Sequence, residues 1–255
     1  MVILVSNDDG VHSTGITSLA AGLRALGDVY IVAPDRERSA AGHSLTLHRP
    51  LLVEKLKERV FSINGTPTDC VNLAVNGLLP EKPDLVVSGI NKGGNLGDDI
   101  TYSGTVSAAM EGLLLGVPSF AVSLVARSNF KFRAAAAVAV EIARDLIARK
   151  LPNDTLLNVN VPNLPLSRIR GVSVTHQGKR IFSKDDIVAV KDPRGRTHYW
   201  VGGGDLGWED RRGSDFEAIS RGRVSVTPIH LDLTNYTTLR RLRSMGRRVG
   251  RSIGS

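Results

Sequence analysis

The sequence predicts an α/β protein: a mostly parallel, Rossmann-like sheet with helices on both faces, plus an extended C-terminal hairpin arm and a C-terminal helix. Three observations predict it. Short apolar runs alternate with helix-length amphipathic stretches through the first 160 residues, the β-α order of a parallel sheet. The 255 residues are 42% hydrophobic and 23% charged, which suits one large globular domain or two small ones. After Pro165 the alternation gives way to a polar, Gly- and Arg-rich stretch between two strand-like runs. The expected division is a core over residues 1–165, carrying the site, and a segment 166–255 of strands, arm and basic helix. Both belong to one structural unit.

Each element has its own signal. Val2–Val5 reads as a short buried strand, and Thr14–Leu26 as a helix with Leu19, Leu23 and Leu26 at helical spacing. Val29–Val32 is the next strand, followed by a polar loop, Asp35–Ser44. Residues 45–64 read as two or three short strands, a hairpin excursion. Thr66 as N-cap and Pro67 at the first position open a helix to about Leu79. Asp84–Ser88 is a buried strand, Gly104–Leu115 a helix, Ser119–Leu124 a strand, Phe132–Lys150 an Ala-rich helix and Leu156–Val161 a strand. Beyond Pro165, Ile169–Thr175 and Val224–Pro228 read as strands, and the polar residues 177–215 between them as a long arm. An arm of that length usually serves a function or a partner.

The bulk properties exclude several classes. No apolar run is long enough to span a bilayer. Strand-like sequence begins at Val2 with no cationic leader, so the expected location is the cytoplasm. A single cysteine, Cys70, rules out an internal disulfide and a Cys-rich zinc site. The net charge is +8, and residues 211–255, with ten arginines against three acids, hold nearly all of it. Those arginines interleave with Tyr236, Leu239, Leu242 and Val249 near a helical period. That pattern predicts an amphipathic packing helix, so nucleic acid is not the expected partner.

Two adjacent acids, Asp8 and Asp9, come where the first strand should end, in Ser6-Asn7-Asp8-Asp9-Gly10. Alone, Asn-Asp-Asp-Gly reads as a turn. Ligands of open α/β sheets, however, bind at the carboxyl ends of strands. Two other loops after strands are also rich in oxygen donors: Asp35-Arg36-Glu37-Arg38-Ser39, and Ser88-Gly89-Ile90-Asn91 running on to Asp98-Asp99. If the strands are neighbours, two carboxylates, a hydroxyl and an amide oxygen converge, a set suited to Mg²⁺, Mn²⁺ or Ca²⁺. Tyr102-Ser103-Gly104-Thr105 precedes a helix, where free N–H groups and the dipole favour an anion. The pairing suggests metal-assisted phosphate ester hydrolysis, in which a metal-activated water attacks and one aspartate orients or deprotonates it. Lys92 is a candidate to neutralise equatorial charge, although a glycine-flanked lysine is more often solvated; His12 is close enough in sequence to support a ligand or act as a leaving-group acid, and fits a surface histidine equally well. Gly202-Gly203-Gly204-Asp205-Leu206-Gly207 matches dinucleotide glycine spacing, but no helix pattern follows it.

With these segments in hand, the chain resembles the SurE family, stationary-phase survival proteins that act as nucleoside monophosphate phosphatases. The resemblance spans most of the chain. It rests on Ser6-Asn7-Asp8-Asp9-Gly10-Val11-His12, Ala33-Pro34-Asp35-Arg36, Gly42-His43-Ser44-Leu45-Thr46 and Gly65-Thr66-Pro67-Thr68-Asp69-Cys70-Val71. Ser88-Gly89-Ile90-Asn91, Asn95-Leu96-Gly97-Asp98-Asp99 and Tyr102-Ser103-Gly104-Thr105-Val106 are its strongest blocks. The resemblance implies metal ligands at Asp8, Asp9, Ser39 and Asn91, and phosphate contacts at Asn95, Ser103, Gly104 and Thr105. It implies a 5′-nucleotidase that also takes 3′-monophosphates and short polyphosphate, with one Mg²⁺ or Mn²⁺ per subunit. It further implies a homodimer or homotetramer built by exchanging the arm and the C-terminal segment. One departure is Ala40, where the family often has glycine; a positive φ there would strain alanine.

Two other classes fit less well. A receiver module would need an aspartate at the end of its third strand, where this chain has Ser88-Gly89. A phosphatase with an aspartyl nucleophile normally shows Asp-x-Asp, whereas these acids are adjacent.

Overall fold

The computed structural model describes residues 1–149, 151–181, 187–201 and 207–253. In chain order the core elements are β1 (Val2–Ser6), α1 (Thr14–Leu23), β2 (Asp28–Pro34), β3 (Val53–Lys57), β4 (Val60–Ile63), α2 (Pro67–Leu73), β5 (Leu85–Lys92), α3 (Gly104–Leu114), β6 (Ser119–Val125), α4 (Phe132–Ala148) and β7 (Thr155–Pro162). Then follow β8 (Val172–Val174), β9 (Arg180–Ile181), β10 (Ile187–Lys191), β11 (Thr197–Val201), β12 (Gly207–Trp208), α5 (Asp215–Ser220), β13 (Val224–His230) and α6 (Tyr236–Ile253).

Nine strands make one sheet in the order β3-β4-β2-β1-β5-β6-β7-β13-β8. The run from β4 to β7 is parallel throughout, while β3 and β13 lie antiparallel to β4 and β7. Helices cover both faces, as the β-α order requires. Side chains alternate along a strand, so Ile3 and Val5 pack in one layer with Leu19 and Leu23 of α1 and Ala139 of α4. Leu4 and Val86 pack in the other, with Val71 of α2 and Ala108 of α3. The central strands carry consecutive apolar runs, such as Val2-Ile3-Leu4-Val5 and Leu85-Val86-Val87, because neither of their faces meets water.

The boundaries differ from the expectations in informative ways. α2 starts with the predicted cap: Thr66 accepts from the Asp69 N–H, and Asp69 accepts in return from the Thr66 N–H. It then widens into a π turn over Ala74–Leu78, which carries the helical segment to its predicted end. α1 stops at Leu23, and Leu26 still packs on the core from the following turn. α4 ends at Ala148, and Lys150 lies outside the described residues. Residues 45–64 contribute the β3–β4 hairpin at the sheet edge. Cys70 is buried and free, and burial pushes its thiol well above the usual range, as suits an inert core residue.

The arm is real: β10 and β11 form an exposed antiparallel hairpin, and β9 pairs with β12 at its base. Its last predicted residue, Asp215, instead begins a helix, α5, capped by Ser214. Of the Gly202–Gly207 match, residues 202–206 lie outside the described residues, and Gly207 stands on β12.

Candidate active site

The strand order reverses between β1 and β5. The chain leaves β1 for β2 on one side and comes back to β5 on the other, which opens a crevice at the carboxyl ends of the strands. Asp8 and Asp9 follow β1, Ser39 follows β2, and Asn91 lies at the end of β5. There the pairing with β6 slips between Gly89 and Asn91, and the Gly89–Ile90 peptide is cis. A cleft of about 500 Å³ results, lined among others by Asp8, Asp9, Ser39, Asn91, Asn95 and Ser103. A larger hollow of about 740 Å³ lies between Leu85, Leu113, Leu146 and Leu151 at the opposite end of the strands. Its one carboxylate, Asp84, already accepts from the Val2 N–H at 2.7 Å.

Asp8 is 6% exposed. Burial pushes its carboxyl up to about 6; the Thr105 hydroxyl pulls it down, and the neighbouring Asp9 charge lifts it further. Thr105 Oγ1 donates to Asp8 Oδ1. Asp9 is also raised by burial, against the pull of Lys92, whose N–H donates to Asp9 Oδ2 at 3.2 Å. Two partly desolvated acids side by side are a concentration of negative charge that a cation would relieve.

The donors around them are all oxygens. Asn91 commits its Nδ2 to the Gly93 carbonyl at 3.0 Å, which leaves Oδ1 as the available atom. Ser39 Oγ donates to Glu37 Oε1 at 2.6 Å and keeps its lone pairs. Among the described residues, no cluster of three or more His, Cys, Asp or Glu is placed to hold a metal. Two carboxylates, a hydroxyl and an amide oxygen are therefore the residues that could hold a hard cation. Ala40 has φ +58°, the left-handed backbone that strains any residue with a Cβ.

α3 points its N-terminus at the acids. Gly104 allows this approach: a Cβ there would stand 2.8 Å from Asp8 Cβ and 3.0 Å from Oδ2. Ser103 Oγ caps the helix by accepting from the Val106 N–H at 3.1 Å, so its own proton is free to donate. The Gly104 and Thr105 N–H groups have no acceptor within the helix. Thr105 differs from a simple phosphate donor, since its hydroxyl is buried and spent on Asp8.

Asn95 is held from every side. Its N–H donates to Asn160 Oδ1 at 2.9 Å, its carbonyl accepts from Asn158 and Asn160, and its Nδ2 donates to Ser123 Oγ at 2.7 Å. Two residues on, the Gly97 N–H donates to Asp215 Oδ2 at 2.8 Å, while Asp215 Oδ1 accepts from Gly178 and Phe216. This fully buried carboxylate fastens the loop to the root of the arm. The arm in turn brings Arg180 and Val201 to the cleft, where Arg180 pairs with Asp99. Glu37, Ala40, Lys92, Asp99, Tyr102, Arg180 and Val201 complete the lining, and of these Arg180 and Val201, from the arm, carry no site signal in the sequence. His12 is exposed and lies outside the lining.

A family model described as "Survival protein SurE" matches residues 3–184. The 5′-nucleotidase SurE of Geobacter sulfurreducens is 58% identical, covering 96% of this chain and 93% of that protein. The 5′-nucleotidase SurE of Geotalea uraniireducens is 55% identical over 95% of this chain and 98% of its own length. The crystal structure of the SurE protein from Aquifex aeolicus superposes with a TM-score of 0.87 at 46% identity, over 96% of this chain and 99% of that one. The sheet order, the acid pair at its switch point and these likenesses agree: the chain belongs to the SurE family.

Proposed function

We propose that this protein is a divalent-metal-dependent 5′-nucleotidase, hydrolysing nucleoside monophosphates to nucleoside and phosphate. The observation that carries the reading is the acid pair, Asp8 buried and Asp9 half-buried, facing a helix N-terminus across one cleft. Relatives at 58% and 55% identity named 5′-nucleotidase support the substrate class. The oxygen-only donors Asp8, Asp9, Ser39 and Asn91 suit Mg²⁺ or Mn²⁺, whose Lewis acidity would polarise the phosphoryl group and offset the charge of the acids. Ser103 Oγ and the Gly104 N–H bind phosphoryl oxygens, helped by the positive end of α3, while Thr105 stays committed to Asp8. Asp8, buried and fixed by Thr105, acts as an anchor. Asp9 is more exposed and has one oxygen not committed to Lys92, so it takes the proton of the attacking water. The open cleft would also admit 3′-monophosphates and the ends of short polyphosphate.

A substrate panel of 5′- and 3′-monophosphates and polyphosphate, run with Mg²⁺, Mn²⁺ or chelator, tests the reading. Asp8→Asn and Asp9→Asn should each cut turnover at least about 100-fold, the scale of losing a catalytic acid–base group. Near-normal hydrolysis by both variants, or full activity in chelator, would refute it.

Assembly by segment exchange is part of the proposal. α6 leaves Leu239, Leu242, Met245 and Val249 exposed along one helical spacing, and the arm exposes Tyr199 and Trp200. Such apolar surface on projecting elements marks an interaction site, and a second copy of this chain is its proposed cover. Sedimentation of the full chain should show a dimer or tetramer; a monomer at micromolar concentration would overturn this. No helix among the described residues is long and apolar enough to cross a membrane.

A further inference from the structure

Glu111 is a nearly buried carboxylate in the middle of α3 that the chemistry above does not use. Both its oxygens are committed to side chains: Oε2 lies 2.8 Å from His43 Nε2, and Oε1 accepts from Asn72 Nδ2 at 2.7 Å. Burial works against its charge, and the bonds from His43 and Asn72 outweigh that, holding the carboxyl below the usual glutamate range. His43 belongs to the loop that carries Ser39.

That loop is pinned on both sides of Ser39. Before it, the Arg38 N–H donates to the Asp8 carbonyl at 2.7 Å. After it comes His43, on Glu111. Between the pins lie two left-handed residues, Gly42 at φ +59°, which glycine adopts freely, and Ala40 at φ +58°, a backbone that needs outside support to persist in a residue with a Cβ. Farther along, Ser44 and Thr46 are tied to Thr66 and Asp69 at the start of α2. His43 is thus the side-chain anchor that joins the Ser39 loop to α3. The same helix meets Asp8 through Gly104 and Thr105, roughly two turns and about 10 Å of axial rise away from Glu111. One rigid helix therefore spaces Asp8 from Ser39.

We infer that His43 and Glu111 are positioning residues that set Ser39 at its distance from the acid pair and so set the affinity of the site for its divalent cation. The inference rests on the metal reading above. It is tested by Mn²⁺ binding to the full chain, followed by calorimetry and by the Mn²⁺ paramagnetic resonance signal, with no turnover involved. His43 is one-third exposed, so His43→Ala should fold, and the melting temperature of the metal-free variant checks that. His43→Ala should weaken Mn²⁺ binding by about 10-fold or more, the usual scale for losing an outer-shell support. His43→Gln places an amide N–H near the position of Nε2 and should restore most of that affinity. If wild type binds no Mn²⁺, the metal reading falls. If wild type binds Mn²⁺ and His43→Ala binds it equally well, the metal reading stands and this inference falls. A glutamine variant as weak as the alanine one would also overturn it.

Discussion

Replacing Asp8 by asparagine should stabilise the metal-free protein while removing its activity. Asp8 is buried, and burial lifts its carboxyl from 3.8 to about 6. That gap of roughly two units corresponds to ~3 kcal/mol. Its sign follows from the folded value being the higher one. Below about pH 4 both states hold the proton and the group costs nothing; the cost grows from there and is complete above about pH 6. Asparagine removes the charge yet keeps Oδ1 as an acceptor for the Thr105 hydroxyl. In a domain of this size ~1 kcal/mol moves the midpoint by about 2–4 °C. Asp8→Asn in chelator should therefore melt about 6–12 °C above wild type near pH 7.5, and the two should converge near pH 4. Thermal melts followed by circular dichroism across that range read it. A variant that melts at or below wild type near neutral pH would refute the reasoning. Saturating Mn²⁺ should reverse the order, because only wild type would gain binding energy.

Three further outcomes follow from the geometry. Ala40→Gly removes a Cβ from a backbone at φ +58°, so urea unfolding should show a gain of about 1 kcal/mol; a loss would mean the loop does not hold that conformation. Asp215→Ala strips the acceptor from the Gly97, Gly178 and Phe216 N–H groups and should cost about 2–4 kcal/mol, with KM rising as the Asn95 loop loosens. Unchanged unfolding and KM would show that the carboxylate carries no load. Gly104→Ala pushes a methyl against Asp8 and should cut kcat/KM about 100-fold while costing about 1–3 kcal/mol of stability; wild-type kinetics would mean the helix can retreat at no cost.

The parts of the fold legible in the sequence are those where a local pattern and the final environment agree. Leu85-Val86-Val87 reads as a buried strand because both faces are covered, and Thr66-Pro67 reads as a helix start because the cap is made within four residues. Six of the eight expected site residues line one cleft, since loops after neighbouring parallel strands must meet. What stayed hidden depends on distant partners. Asp215 looked like one polar residue in a polar arm, and its partner Gly97 lies 118 positions away. α5 had a signal, Ser214 with Glu217 three residues on, but the surrounding polarity masked it. Glu111 carries no signal of its own in the sequence, because nothing local announces that Asn72 and His43 close over it. Asn91 was read as a loop residue, and the strand that extends through it follows from its pairing with Ser123 on β6.

The arm has a latch at its base. The His176 N–H bonds to the Gly213 carbonyl, the Asp215 N–H returns to the His176 carbonyl, and just beyond, Ile181 pairs with Gly207. In chain-topology terms, the hairpin is a closed loop whose two ends are tied before it leaves the sheet. For such a loop, doubling the length adds only about 0.6 kcal/mol of closure entropy. Its length can therefore drift between lineages, or be redesigned, almost independently of the nine-stranded sheet. Lengthening the hairpin would cost the sheet little, and its effect would fall on the surfaces the arm carries.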